Sequence, residues 1–321
     1  MPTNTKGVIL ISVLMIVLIL SAISVSIGQG YFLALKRESY INFESNAFQY
    51  TRTLEVLSER EIRKQFAPKR SYTSLSMPFF SQPISIQSDY GTITATATDA
   101  SNCFNINSLF LYENKSFIPN ERSIAGLKRL LFLLQYNENH VDSLIDQILD
   151  WVDSDNESRA NGLEDYFYTG PASQVKQYSS QRLFYHLSEL MNLPSMVHFN
   201  WGQMKQYLCA HPSIDSSGVN INHLKIKDAP LLASILPDID IPEAESMILD
   251  IPVDGFRTAS ELYLAFPGIE FNQSYLPIRL NTDLIWVNSI VVYEKSSVSA
   301  KTLFQIKNSE TITLNRFYND E

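Results

Sequence analysis

The segment DWVDSDNESRANGLEDYFY, residues 150–168, places Asp150, Asp153, Asp155, Glu157, Glu164 and Asp165 around a single cation, Arg159. Carboxylates at that density repel one another unless a positive charge sits between them. Ca2+ suits such a set, since it takes about six to eight oxygen ligands from carboxylates, carbonyls and water in flexible geometry. Counted as an EF-hand loop from Asp153 at position 1, Asp155 falls at 3, Glu157 at 5, Asn161 at 9 and Glu164 at 12, but position 6 is Ser158 instead of the glycine that loop requires. A structural calcium loop with a geometry of its own is the reading that follows. The alternative is a solvated acidic loop turning at Gly162. Catalytic carboxylates are a third reading, and nothing nearby supplies an oxyanion hole or a nucleophile.

The other reactive side chains form no comparable pattern. His140, His186, His198, His211 and His223 show neither H-x-x-x-H nor H-E-x-x-H spacing, so zinc is not expected. There is no G-x-S-x-G elbow and no phosphate-binding G-x-x-x-x-G-K-[ST] loop. Cys103 and Cys209 are the only cysteines, too few for a four-thiolate zinc site. In an oxidising compartment their natural pairing is a disulfide closing a loop of about 105 residues; the alternative is two buried thiols. With 25 Lys and Arg against 34 Asp and Glu, net charge −9, and basic residues scattered along 321 positions, nucleic acid is not an expected partner.

The acidic segment follows directly on an amphipathic helix, in which Val141, Leu144, Ile145, Ile148, Leu149 and Val152 recur at i, i+3, i+4, i+7, i+8 and i+11. Leu127, Leu130, Leu131 and Leu134 mark another helix before it, and shorter ones are expected at 179–191, 201–208, 228–236, 242–249 and 258–266, the last stopped by Pro267-Gly268. The connection LPDIDIP between the 228–236 and 242–249 helices is acidic and lacks the glycine of a DNA-binding hairpin. Strand patterns flank this helical middle: 84–87 and GTITATAT, joined by a turn at Ser88-Asp89-Tyr90-Gly91, and then 284–293, 301–306 and 311–317. A helical domain inserted into a small α/β domain is therefore predicted, with its two modules meeting near Pro212 to Gly218. Ahead of the first strands, Phe43, Ala47, Tyr50, Leu54 and Leu57 lie on one face of a helix that has no Pro or Gly from Lys36 to Phe66 and ends near Pro68. That helix continues the uncharged run Val8–Ile27, whose 20 residues just span a hydrocarbon core about 30 Å thick.

The start MPTNTKG, with Lys6 and Gly7 ahead of the apolar run, resembles a type IV prepilin leader. The resemblance implies cleavage between Gly7 and Val8 on the cytoplasmic side, accompanied by methylation, with the apolar helix kept as an anchor. The alternative is an ordinary signal anchor. The fifth residue after the cut is Ser12, where that family usually has Glu. A carboxylate in lipid needs a partner, and in pilin filaments the amino terminus of a neighbouring subunit serves. A subunit without it fits the first position at a filament tip.

Four further stretches resemble the K-type minor pseudopilin of type II secretion systems: the acidic segment 150–168; DASNCFNIN (99–107); VNINHLKIKDAPLLASILP (219–237), with His223 where Thr is usual; and IPVDGFRTASELYLAFPG (251–268). The resemblance implies an α+β fold: a pilin-like long N-terminal helix packed on a small antiparallel sheet, with a large inserted all-α domain of two SAM-like or helix-hairpin-helix-like modules. The implied organisation is a leader (1–7), the transmembrane half of the long helix (8–30), the first part of the pilin-like domain (31–100), the inserted domain (101–275, its modules about 101–212 and 213–275) and C-terminal strands (276–321). It also implies structural Ca2+ held by Asp153, Asp155, Glu164 and Asp165, with Asp150 and Glu157 as weaker candidates. The expected role is non-enzymatic: a tip subunit that nucleates or caps the pseudopilus for export across the outer membrane. Its place would be the bacterial inner membrane, single pass, N-terminus cytoplasmic and globular part periplasmic. Expected partners are other minor pseudopilins, prepilin peptidase, the inner-membrane secretion platform and secreted exoproteins, with no nucleic acid. A minor pilin of a related type IV pilus or competence system, or a signal-anchored periplasmic enzyme, are the rival readings.

Overall fold

The computed structural model describes residues 6–66, 70–88, 91–171, 173, 176–214, 218–293, 296–307 and 310–318. Most of the expected leader, Pro68, the turn residues Asp89 and Tyr90, and part of the junction near Pro212 to Gly218 lie outside them.

Helix α1 (Lys6–Phe66) is the spine. The side chains from Ile9 to Ile27 are exposed, and this is the one helix among the described residues long and apolar enough to cross a membrane. Its later half is amphipathic: Phe43, Ala47, Leu54, Ile62 and Phe66 are buried against Ile93, Ala95, Ile285, Val287, Val291, Val298 and Phe304. The stripe drifts slightly from the expected one. Leu57 is 39% exposed, and Thr51 and Ser58 take inward positions, because a 3.6-residue turn advances an i, i+3 face around the axis over several turns.

A short helix α2 (Pro78–Ser81) leads into strands β1 (Ile84–Ser88) and β2 (Gly91–Asp99). The chain then leaves the sheet. Next come β3 (Phe104–Asn105), β4 (Phe110–Glu113), β5 (Ser116–Pro119), α3 (Glu121–Leu133), α4 (Glu138–Val152), α5 (Asp165–Thr169), α6 (Trp201–Tyr207) and β6 (Leu208–Cys209). A second run follows: β7 (Val219–Asn220), α7 (Ala229–Ile235), α8 (Ile241–Leu249), α9 (Ala259–Ala265) and β8 (Ile278–Arg279). The chain re-enters the sheet as β9 (Leu284–Tyr293), β10 (Ser296–Lys307) and β11 (Glu310–Tyr318). The sheet is antiparallel in the order β1-β2-β9-β10-β11. Asp99 pairs with Ile285, so the helical domain leaves and returns through adjacent strand ends. An insertion so placed leaves the sheet intact.

The expected α+β architecture is present, and the helical domain contains a repeat. In the first run, Asn105 caps a 3-10 turn (Ile106–Leu109), and the Asn107 amide bonds Phe184 N and O and the His211 carbonyl at 2.7–2.9 Å. In the second, Asn220 caps a 3-10 turn (Ile221–His223), and the Asn222 amide bonds Phe256 N and O and the Leu280 carbonyl at 2.8–3.1 Å. Each run closes with a two-residue parallel pairing, β3 with β6 and β7 with β8. Gly255 (φ +71°) permits the second clamp, since a Cβ there would strike the Asn222 amide. The two units share one core, with Leu127, Leu130 and Leu131 of α3 in the same cluster as Leu231, Leu232 and Ile235 of α7. Leu276 is buried in that core, with Ile278 and Leu280 packed against it.

The helix expected at 179–191 is instead a 3-10 turn (Leu187–Asn192) preceded by irregular chain. Side chains compete with the helix here: Ser179 donates to Asp165, Ser180 donates to the Trp151 and Arg182 carbonyls, and Gln181 has φ +48°.

Candidate metal centre

Helix α4 aims the acidic segment. Its apolar stripe is buried, and the same face carries Asp150 to its last turn, 0% exposed, and Asp153 to its C-cap, 4% exposed. The chain turns back so that Arg159 reaches both: its Nη1 pairs with Asp150 Oδ1 and lies 2.6 Å from Asp153 Oδ2. Asp150 Oδ2 also accepts from Arg159 N at 3.1 Å and Ser158 Oγ at 3.4 Å. Asn161 is held from below by Asp146, whose Oδ2 accepts from Asn161 N at 3.0 Å and Nδ2 at 3.1 Å. Gly162 passes so close to Asp150 that a Cβ there would overlap its carboxylate. Glu164, the N-cap of α5, then returns into the interior at 1% exposure.

Asp153, Asp155 and Glu164 each present an oxygen within 4.8 Å of the others. Asp153 Oδ1 and both Glu164 oxygens are buried without a hydrogen-bond partner, as is the Tyr168 hydroxyl. Burial raises the Asp153 pKa, against the lowering effect of Arg159. Glu164 is pushed up to about 7, first by burial and then by the charges of Asp150, Asp153, Asp155 and Asp165. The Tyr168 hydroxyl is pushed up by burial, then by Asp150 and Glu164. Orphaned carboxylate oxygens facing one another fit a hard divalent cation, which would supply the missing partner and invert these shifts.

The structure therefore brings together three of the expected ligands, Asp153, Asp155 and Glu164, with Asp150 beside them in the grip of Arg159. Glu157 is exposed, and its backbone N–H donates to Asp155 Oδ1 at 2.9 Å. Asp165 is engaged elsewhere: its Oδ1 accepts from Ser179 N at 2.7 Å and Oγ at 2.8 Å, fixing the chain that follows α5. Sequence reasoning counted Arg159 only as a charge and missed Asp146. Their signal was spacing, Asp146 lying one helical turn before Asp150.

The cysteines of the first unit are joined, with the Cys103 and Cys209 Cα atoms 5.8 Å apart, beside the β3–β6 pairing. His211 lies against this link, its Nε2 2.8 Å from the Ala100 carbonyl and 3.3 Å from Cys103 Sγ.

Comparison with known proteins agrees with this architecture. Residues 102–213, the first unit with its acidic loop and cysteines, match the family model described as type II secretion system (T2SS), protein K. The type II secretion system protein K of Pectobacterium carotovorum subsp. carotovorum is 26% identical over 332 aligned residues, covering 99% of this chain and 98% of that protein. The protein K of Aeromonas hydrophila is 25% identical, covering 78% and 77%, and the putative protein K of Escherichia coli K12 is 23% identical, covering 84% and 83%. The fold matches a chain in the crystal structure of the GspK-GspI-GspJ complex from the enterotoxigenic Escherichia coli type 2 secretion system, with TM-score 0.74 at 17% identity over 89% of this chain and 100% of that one. On sequence across nearly its whole length, and on a fold shared with a solved protein of that system, this chain is similar to the type II secretion system protein K, and its one long apolar N-terminal helix fits a membrane anchor.

Proposed function

We propose that this protein is a minor pseudopilin that occupies the tip of the pseudopilus, where it nucleates or caps assembly, and that its role is structural and not enzymatic. One observation carries the reading: the helical domain sits at the end of the spine farthest from its apolar half. Phe66, the last residue of α1, packs on Phe80 (6.2 Å between ring centroids), and Phe80 packs on His223 of the second unit (4.6 Å). A domain of that bulk would not fit between subunits stacked along a shaft. Ser12 agrees, since its hydroxyl donates within the helix to the Ile9 carbonyl at 3.0 Å and carries no charge for a neighbour's amino terminus. The anchor crosses the inner membrane once, with the sheet and helical domains in the periplasm and cleavage by prepilin peptidase between Gly7 and Val8.

The partners are other minor pseudopilins, as in the solved complex of the relative, and the inner-membrane platform; secreted exoproteins would meet the tip. Exposed apolar residues of α1 beyond the anchor, Tyr40 (55%) and Ile41 (52%), offer a helix-packing face to those subunits. Ca2+ held by Asp153, Asp155 and Glu164 fixes the acidic loop. Asp153 and Glu164 are buried, which suits a structural ion rather than a substrate site. Photo-crosslinking from Ile41 in cells tests the assignment. Adducts with other minor pseudopilins are expected, and adducts confined to the major shaft subunit would contradict it.

A further inference from the structure

Both helical units meet the sheet at the end of β2, where buried imidazoles sit. Asp99 closes that strand, its side chain 3% exposed. Its Oδ1 accepts from Ser101 N at 2.8 Å and Ser101 Oγ at 2.6 Å, and its Oδ2 accepts from Asn220 Nδ2 at 2.8 Å. The same Oδ2 faces His223 Nδ1 at 3.3 Å, and the His223 side chain is 1% exposed. On its other side the His223 ring stands edge-on to Phe80 of α2. Neither ring nitrogen makes a hydrogen bond. Three elements thus close around one imidazole: β2, α2 and the 3-10 turn that opens the second unit. In the first unit the matching position is Ser108, whose hydroxyl donates to the Asn105 carbonyl at 2.7 Å. The second unit carries a titratable group where its twin carries a neutral, satisfied one.

A neutral imidazole can occupy such a pocket. An imidazolium brings two N–H donors and a charge, and only one side of the ring faces an acceptor. We propose that His223 makes the joint between the sheet domain and the second helical unit an acid-sensitive latch, docked while the ring is neutral and loosened when it takes a proton.

The groups facing the ring decide the sign. Asp99, from β2, favours the cation. Lys225, further along its own segment, opposes it. From α2 only the uncharged Phe80 ring faces it, and Asn220, bonded to Thr73 Oγ1 at 2.9 Å, adds neutral dipoles. Burial is the largest influence and holds the docked His223 below the ordinary histidine value despite Asp99. An undocked imidazole protonates near pH 6.5, about the unperturbed value. Above that pH both states are neutral and docking is insensitive to pH. Below it the undocked state takes a proton that the docked one refuses, so docking weakens as pH falls, by up to about tenfold per pH unit for one proton.

Hydrogen exchange on the full chain in detergent, at pH 7.5 and 5.0 and corrected for intrinsic rates, tests this. Peptides covering 70–80, 219–224 and 278–283 are expected to lose protection at pH 5.0 in the wild type by about tenfold or more beyond the loss seen in His223→Ser and His223→Gln. Titration of His211 affects all three proteins alike. Equal loss at these peptides in wild type and variants would overturn the proposal, as would undiminished wild-type protection at pH 5.0. Should the variants already be undocked at pH 7.5, the profile of His211→Gln decides: a fall setting in near pH 6.5 that survives this substitution supports the latch, and a profile that it flattens refutes it.

Discussion

Glu164 is the residue on which the metal assignment turns. Both its oxygens are buried and unpartnered, a condition that costs roughly 1–3 kcal/mol when no ion is bound. Glu164→Gln removes the buried charge that Asp150, Asp153, Asp155 and Asp165 oppose, so it should stabilise the chelated protein at pH 8 while abolishing the rise that calcium gives the wild type. That rise should be about 2.7 kcal/mol at 100 times Kd for one site. Urea unfolding with and without calcium measures both signs, and a variant that still gained stability from calcium would remove Glu164 from the ligand set. The density of carboxylates made this cluster legible in the sequence. Which oxygens converge was not legible, because that depends on where the chain turns. Asp165 lies beside Glu164 in sequence yet is spent on Ser179, and Arg159 reaches back nine residues to Asp150.

At the scale of elements, the Asn107 and Asn222 clamps hold each unit closed. Asn222→Ala would leave Phe256 N and the Phe256 and Leu280 carbonyls without their partner. A loss of about 2–3 kcal/mol is expected, with a similar loss for Asn107→Ala, measured as a shift in urea midpoint at unchanged slope. A second prediction concerns His211, whose pKa burial depresses to about 4, outweighing the opposing Ala100 hydrogen bond. Its folded value lies below its unfolded one, so the stability it permits is complete above about pH 6.5 and falls between pH 6.5 and 4, by roughly 3 kcal/mol in total. His211→Gln should flatten that part of the pH profile of unfolding. Helices α3 and α4 and the flanking strands were legible because their periodicity is long and clean. The division into two modules was expected, but the motif they share was not legible, since it is only the short Asn-Ile-Asn stretch at 105–107 and 220–222. Those asparagines gain meaning only from carbonyls and amides brought to them from tens of residues away. The 179–191 stretch misled because serine hydroxyls, rather than apolar spacing, decide its path.

Over the whole molecule, three parts adjoin: an exposed apolar half-helix, a small sheet on the helix's second half, and a duplicated helical domain that meets the helix's far end through Phe80 and the sheet through Phe317. The order of these parts was readable from composition and pattern. Their stacking was not, because it rests on contacts such as Phe66 with Phe80 and Arg316 with Glu55, separated by up to 261 residues in sequence. The acidic composition, net charge −9, is spread over the domains and does not itself select a partner. The proposed tip position rests on bulk at the distal end together with an uncharged Ser12 in the anchor. Labelling this chain within assembled pseudopili and imaging single filaments by electron microscopy tests that position most directly. One label at one end of each filament is the predicted result, and labels repeated along the shaft would contradict it.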